Sequence, residues 1–180
     1  LTKIKINCLS AKGNVTMVPE IKKILYPTDM SETSNHAFGY AASIANRYDA
    51  SITIFHVLQT PMPTSENLVT NVLGDARWHE LLDQKKTEVV EKIRRRLEKY
   101  CEETRVQLAA CPFMMEEVIV KIGNPVEEIL QEAGQKDYDL IIMGAHGHGA
   151  IAGAVMGSVS RRVLRRSQTP VLLVRLADGK

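Results

Sequence analysis

Five short runs of apolar, largely β-branched residues alternate along the chain with stretches whose apolar positions recur every three or four residues. The runs are Ile24-Leu25-Tyr26-Pro27, Ala50–Leu58, Glu117–Ile122, Tyr138–Met143 and Val171–Leu176. Their near-continuous apolar character predicts strands covered on both faces, as in a parallel sheet. Between the first two, Ala37, Ala41, Ala45 and Tyr48 fall on one helical face, and Ser31, Thr33 or Ser34 can cap that helix. A long helix is predicted from about His79 to Cys101, with Leu81, Lys85, Val89, Ile93 and Leu97 spaced by four. Gly123-Asn124-Pro125 turns the third strand into a helix that buries Val126, Ile129, Leu130 and Ala133 and stops near Gly134. A last helix runs from Val159 towards Arg166.

Strand and helix in alternation predict an α/β fold: a single-domain, open, Rossmann-like sheet of five parallel strands with helices on both faces. The expected strand order is 3-2-1-4-5. It sets the first and fourth strands side by side at a topological switch point, where ligands bind outside the carboxyl ends of the strands. Asp29 lies just past the end of the first strand, because Pro27 cannot donate to a ladder and ends it. Two roles fit Asp29 equally: a local turn or helix cap, and a ligand contact. His56 reads as a satisfied, partly buried strand residue. The backbone N–H and C=O of Val57, at the end of the second strand, are placed to meet the edge of a base.

The richest chemistry follows the fourth strand. Between Gly144 and Gly157 there are five glycines in fourteen residues, set between a strand and a helix. Such a loop brings bare N–H groups close to an anion, and the helix N-terminus adds partial positive charge. The P-loop pattern is absent, since no Gly-Lys is followed by Ser or Thr. The dinucleotide fingerprint G-x-G-x-x-G is absent too, and it belongs after a first strand rather than a late one. The spacing present is G-x2-G-x9-G-[ST], through Gly144, Gly147, Gly157 and Ser158.

Composition narrows the classes. The chain of 180 residues suits one domain, 20–180, with residues 1–19 a detached extension or cloning remnant. An extra edge strand using Ile4 and Ile6 is the alternative for that segment. A net charge of +2 argues against a dedicated nucleic-acid surface. Arg94-Arg95-Arg96 is set among Glu91, Glu98, Glu102 and Glu103 and reads as a solvated helix face. Cys8, Cys101 and Cys111 have no metal-ligand spacing, so buried thiols in a reducing cytoplasm are expected. No apolar run approaches the ~18 residues that span a bilayer. Residues 59–77 form the chief irregular stretch, of a length usual for a lid.

The glycine spacing is similar to the ATP-binding signature of the universal stress protein family. The resemblance extends over Glu20–Leu176, taking in Ile24–Ser31, His56-Val57 and Gly123-Asn124-Pro125. It implies that Pro27, Thr28 and Asp29 lie beside the adenosine and that Val57 meets adenine through its backbone. Met143, Gly144, His146 and Gly147 would line the ribose and phosphates. Gly157, Ser158, Val159 and Ser160 would hold the phosphate tail through N–H groups and hydroxyls. The implied ligand is ATP, ADP or AMP, with magnesium offsetting charge that no lysine meets. The implied assembly is a homodimer through Val171–Leu176. Charge, cysteine usage and the lack of a long apolar run point to the cytoplasm, with no nucleic acid and no membrane as partner. His148 receives no role from the resemblance.

The leading expectation is a binding module, a stress-response protein whose nucleotide state alters its shape, dimer or partner contacts. A slow ATP hydrolase or an adenylyl-transferring relative is the enzymatic alternative. No nucleophile–base pair and no water-activating base is apparent, and neither S-G-G-x-D-S nor H-x-G-H is present. A dimeric scaffold without nucleotide is the weakest reading, because the glycine spacing is intact.

Overall fold

The computed structural model describes residues 18–59, 74–104, 114–148 and 156–176. The element order is β1 (Lys23–Pro27), α1 (Glu32–Tyr48), β2 (Ser51–Leu58), α2 (Asp75–Thr104), β3 (Met114–Ile122), α3 (Pro125–Gln135), β4 (Leu140–Gly144), α4 (Ser158–Arg166) and β5 (Val171–Val174). All four strand pairings are parallel, and the order across the sheet is β3-β2-β1-β4-β5. The expected α/β topology is the observed one, with β1 and β4 neighbours and β3 and β5 at the edges.

Alternation along each strand sorts side chains to two cores. Ile24, Tyr26, Ile52, Ile54 and Ile142 face α1 and α2, where they meet Ala37, Phe38, Ala41, Ala45, Ile93 and Leu97. Leu25, Phe55, Ile141 and Met143 face α3 and α4, against Val126, Ile129, Ala133 and Val163. Burial of both faces is why these strands read as unbroken apolar runs. The alanine stripe of α1 lets that helix lie close to the sheet, but Tyr48 is 49% exposed and lies off the stripe. The helix is already ending there, closed by Asp49 in the left-handed region.

Several boundaries differ from the sequence reading. The long helix begins at Asp75 and ends at Thr104. β3 begins at Met114, three residues before the expected Glu117, and β5 ends at Val174 rather than Leu176. Gly134 does not stop α3, which continues to Gln135. One glycine inside a helix costs only about 1 kcal/mol, and the buried Ile129, Glu132 and Ala133 hold the last turn. Of the irregular 59–77 stretch, residues 60–73 lie outside the described residues, as do residues 1–17, Cys8 and Cys111. Cys101 is half-buried and is in no disulfide among the described residues.

Candidate functional site

The turn after β1 is built by its own polar side chains. Thr28 donates its N–H to the Phe55 carbonyl, extending the β1–β2 ladder by one residue. The Thr28 hydroxyl oxygen accepts from Met30 N at 3.0 Å and from the Ser34 hydroxyl at 2.8 Å. Ser31 caps α1, its hydroxyl accepting from Ser34 N at 3.2 Å. Met30 is forced to φ 63°, a left-handed conformation uncommon for a residue with a side chain. Strain of this kind persists only where surrounding contacts hold it.

Asp29 sits at the crest of that turn. Its Oδ1 accepts from Ser31 N at 3.0 Å and its Oδ2 from His148 N at 3.0 Å. Of the two roles open to Asp29, the structure displays the local turn and adds a tie to the glycine loop. Partial burial alone would raise the carboxyl's pKa, but hydrogen bonds from Ser31 and His148 outweigh it and hold the group below the usual carboxylate range. The His148 ring stands with Nδ1 at 3.4 Å from the same Oδ2 and is 71% exposed.

His56 is buried, as expected, and its Nδ1 lies 2.7 Å from the Thr28 carbonyl oxygen. A carbonyl only accepts, so Nδ1 carries the proton and Nε2 is left as an acceptor. Burial pushes the imidazole's pKa down, against the opposing pull of the Thr28 bond and of Asp29.

The described ends of the glycine-rich segment meet at Ala145. This fully buried residue donates to the Val174 carbonyl at 2.7 Å. Its own carbonyl accepts from Gly157 N at 2.8 Å and from the Ser160 hydroxyl at 2.7 Å. Two donors expected to hold phosphate, the Gly157 N–H and the Ser160 hydroxyl proton, are therefore engaged inside the protein. Gly157 is the N-cap of α4 and has no side chain to offer, so no side chain caps that helix. The first-turn N–H groups of Ser158, Val159 and Ser160 have no intrahelical partner. With the Ser158 hydroxyl, they form the donor set at this end of the site.

The glycines serve different ends. A Cβ at Gly147 would collide with Asp29 Oδ2, so glycine is what lets the loop pass the carboxylate where it stands. A Cβ at Gly144 would instead meet the α1 backbone, 3.1 Å from Ser34 N and 3.2 Å from the Thr33 carbonyl carbon. Gly144 thus serves the packing of β4 on α1, on the side of the strand away from Met143.

All twelve residues singled out from the sequence line one cavity of about 530 Å³: Pro27, Thr28, Asp29, Val57, Met143, Gly144, His146, Gly147, Gly157, Ser158, Val159 and Ser160. It opens at the carboxyl ends of β1, β2 and β4. Phe55, Val57, Pro125, Ile129 and Met143 supply apolar wall, while Asp29, His148 and the start of α4 supply polar groups. Ser34, Gln59 and His148 also reach it. From the sequence Ser34 reads only as a helix cap and His148 as a loop residue without a role, because nothing local to either indicates a partner on another segment.

The universal stress protein family pattern matches residues 20–175. The chain belongs to the universal stress protein family. Among similar members, universal stress protein MJ0577 of Methanocaldococcus jannaschii is 30% identical over 154 residues, covering 86% of this chain and 94% of that protein. The solved structure of MJ0577 aligns with a TM-score of 0.63 at 28% identity, over 89% of this chain and all of that one. A universal stress protein solved in complex with cAMP aligns with a TM-score of 0.51 at 25% identity, over 87% of this chain and 98% of that one. In this universal stress protein, as described, no helix is long and apolar enough to cross a membrane. No three His, Cys, Asp or Glu side chains among the described residues gather to hold a metal.

Proposed function

We propose that this universal stress protein binds an adenine nucleotide, ATP foremost, and acts as a nucleotide-dependent switch in stress response. The observation that carries the reading is the cavity at the switch point. Its two ends suit the two ends of a nucleotide: an apolar wall beside the Val57 backbone, and an uncapped helix N-terminus beside a glycine loop. The solved relative in complex with cAMP supports the adenine part. Asp29 then contacts the sugar side of the ligand, and the N–H groups of Ser158, Val159 and Ser160 take the phosphates. Magnesium enters as a counter-ion carried by the phosphates.

The homodimer forms through β5, the last strand of the sheet. The carbonyls of Pro170 and Val174 point to β4, so by alternation the peptide groups of Val171 and Leu173 point outward, open to a partner strand. The switch acts in the cytoplasm, where bound nucleotide alters the contacts made by the dimer.

The test is to denature the purified protein, identify any released nucleotide, and then titrate ATP with and without magnesium by calorimetry while following ADP. Saturable binding without turnover supports the switch. Absence of binding sinks it. Steady ADP production would favour a slow hydrolase, for which the His148 ring beside Asp29 is the pertinent observation. An imidazole beside a carboxylate at the cavity mouth is a candidate general base, and His148→Gln would then abolish turnover.

A further inference from the structure

Arg96 breaks the pattern of the arginine run. Arg94 pairs with Glu98 on the surface of α2 and Arg95 is exposed, as a solvated face predicts. The guanidinium of Arg96 instead leaves its helix and donates through Nη1 to the Met30 carbonyl at 2.9 Å and to Asn35 Oδ1 at 2.9 Å. Met30 is in the left-handed conformation, and it directly follows Asp29. Its N–H is already held by Thr28 and its side chain packs in the α1-facing core. Arg96, reaching across 66 residues, holds the Met30 carbonyl.

The geometry points to Arg96 as a positioning residue for the candidate site. By fixing the Met30 carbonyl it holds the Thr28–Ser31 turn, and so sets the Asp29 carboxylate where it accepts from both Ser31 N and His148 N. α2 is thereby wired to the glycine loop through one side chain: Arg96 to Met30, Met30 to Asp29, Asp29 to His148. A charged, planar donor suits this task, since it satisfies a carbonyl and an amide oxygen on two different segments at once. Arg96 does not itself touch the ligand. Its effect on affinity rests on the nucleotide reading, whereas its effect on the turn does not.

The experiment is amide hydrogen exchange on the full chain without ligand, followed by ATP titration. In Arg96→Met, exchange at Ser31 and His148 speeds up severalfold, while the buried α1 amides of Ala41 and Ala45 keep wild-type rates. Arg96→Lys, which restores one donor, falls between. Asn35→Ala, which removes only the α1 acceptor, leaves Ser31 and His148 protected. ATP affinity falls about tenfold in Arg96→Met, the loss of one charge-assisted hydrogen bond. Unchanged exchange at Ser31 and His148 in folded Arg96→Met would overturn the inference, as would equal loss of protection in Asn35→Ala. Altered exchange in a protein that binds no ATP would support the positioning role and sink the nucleotide reading alone.

Discussion

Asp29 accepts the backbone N–H of His148 at 3.0 Å, although 119 positions separate them in the chain. This one hydrogen bond joins the turn after β1 to the loop after β4, across the cleft between neighbouring strands. It explains Gly147, whose missing side chain leaves room for the carboxylate. Gly147→Ala displaces Asp29 from the loop and weakens ATP binding by about tenfold or more, with little change in melting temperature. Calorimetric titration beside a thermal melt checks it. Equal affinity in the folded variant would show that the Asp29 contact is dispensable.

Gly144 yields the opposite balance. A side chain there meets the Thr33–Ser34 backbone of α1, which has little freedom to retreat because Ser31 caps it and Tyr26 donates to the Ser34 carbonyl. Gly144→Val is therefore a stability variant, destabilising by about 1–3 kcal/mol through overpacking. Urea denaturation measures this. A variant with wild-type stability but no nucleotide binding would put the role of Gly144 in the cavity instead.

His56 makes stability depend on pH. Its folded pKa lies below the usual histidine value, so the folded state disfavours the charged form. The stabilisation is fully present above about pH 6.5, the unfolded value, and is lost as pH falls through the folded pKa. The His56 ring should titrate below pH 6.5 by NMR, and the melting temperature should decline over the same interval. A ring titrating above 6.5 would contradict burial as the dominant influence.

The outward peptide groups of β5 lead to a prediction on assembly. Leu173→Pro removes an outward N–H while leaving the carbonyls of Pro170 and Val174 to bond β4. The expected result is conversion of a dimer to a monomer in light scattering, with α/β circular dichroism retained. A dimer that survives would place the interface elsewhere.

Much was legible in local pattern. Apolar runs and helical spacing disclosed the nine elements found among the described residues, and their alternation implied the parallel sheet and its order. The glycine spacing and Asp29, with the family resemblance they carry, nominated residues that the fold gathers around one cavity. Boundaries were less legible. The start of α2 and the first residues of β3 carry no apolar period of their own, since Ala76-Arg77 and Met115-Glu116 lie exposed near the ends of their elements.

By itself the sequence determined which segments are strands and helices, because periodic burial and turn chemistry act between residues close in the chain. It also determined that a glycine-rich turn precedes α4. Only the tertiary structure decided what each polar group is committed to. Ser160 and Gly157 spend their donors on Ala145, Arg96 reaches Met30, Gly144 yields to α1, and Asp29 spans to His148. The physical reason is that a hydrogen bond or a steric contact depends on a few ångströms of separation. Between residues tens of positions apart, that separation is set by how the sheet and its helices pack.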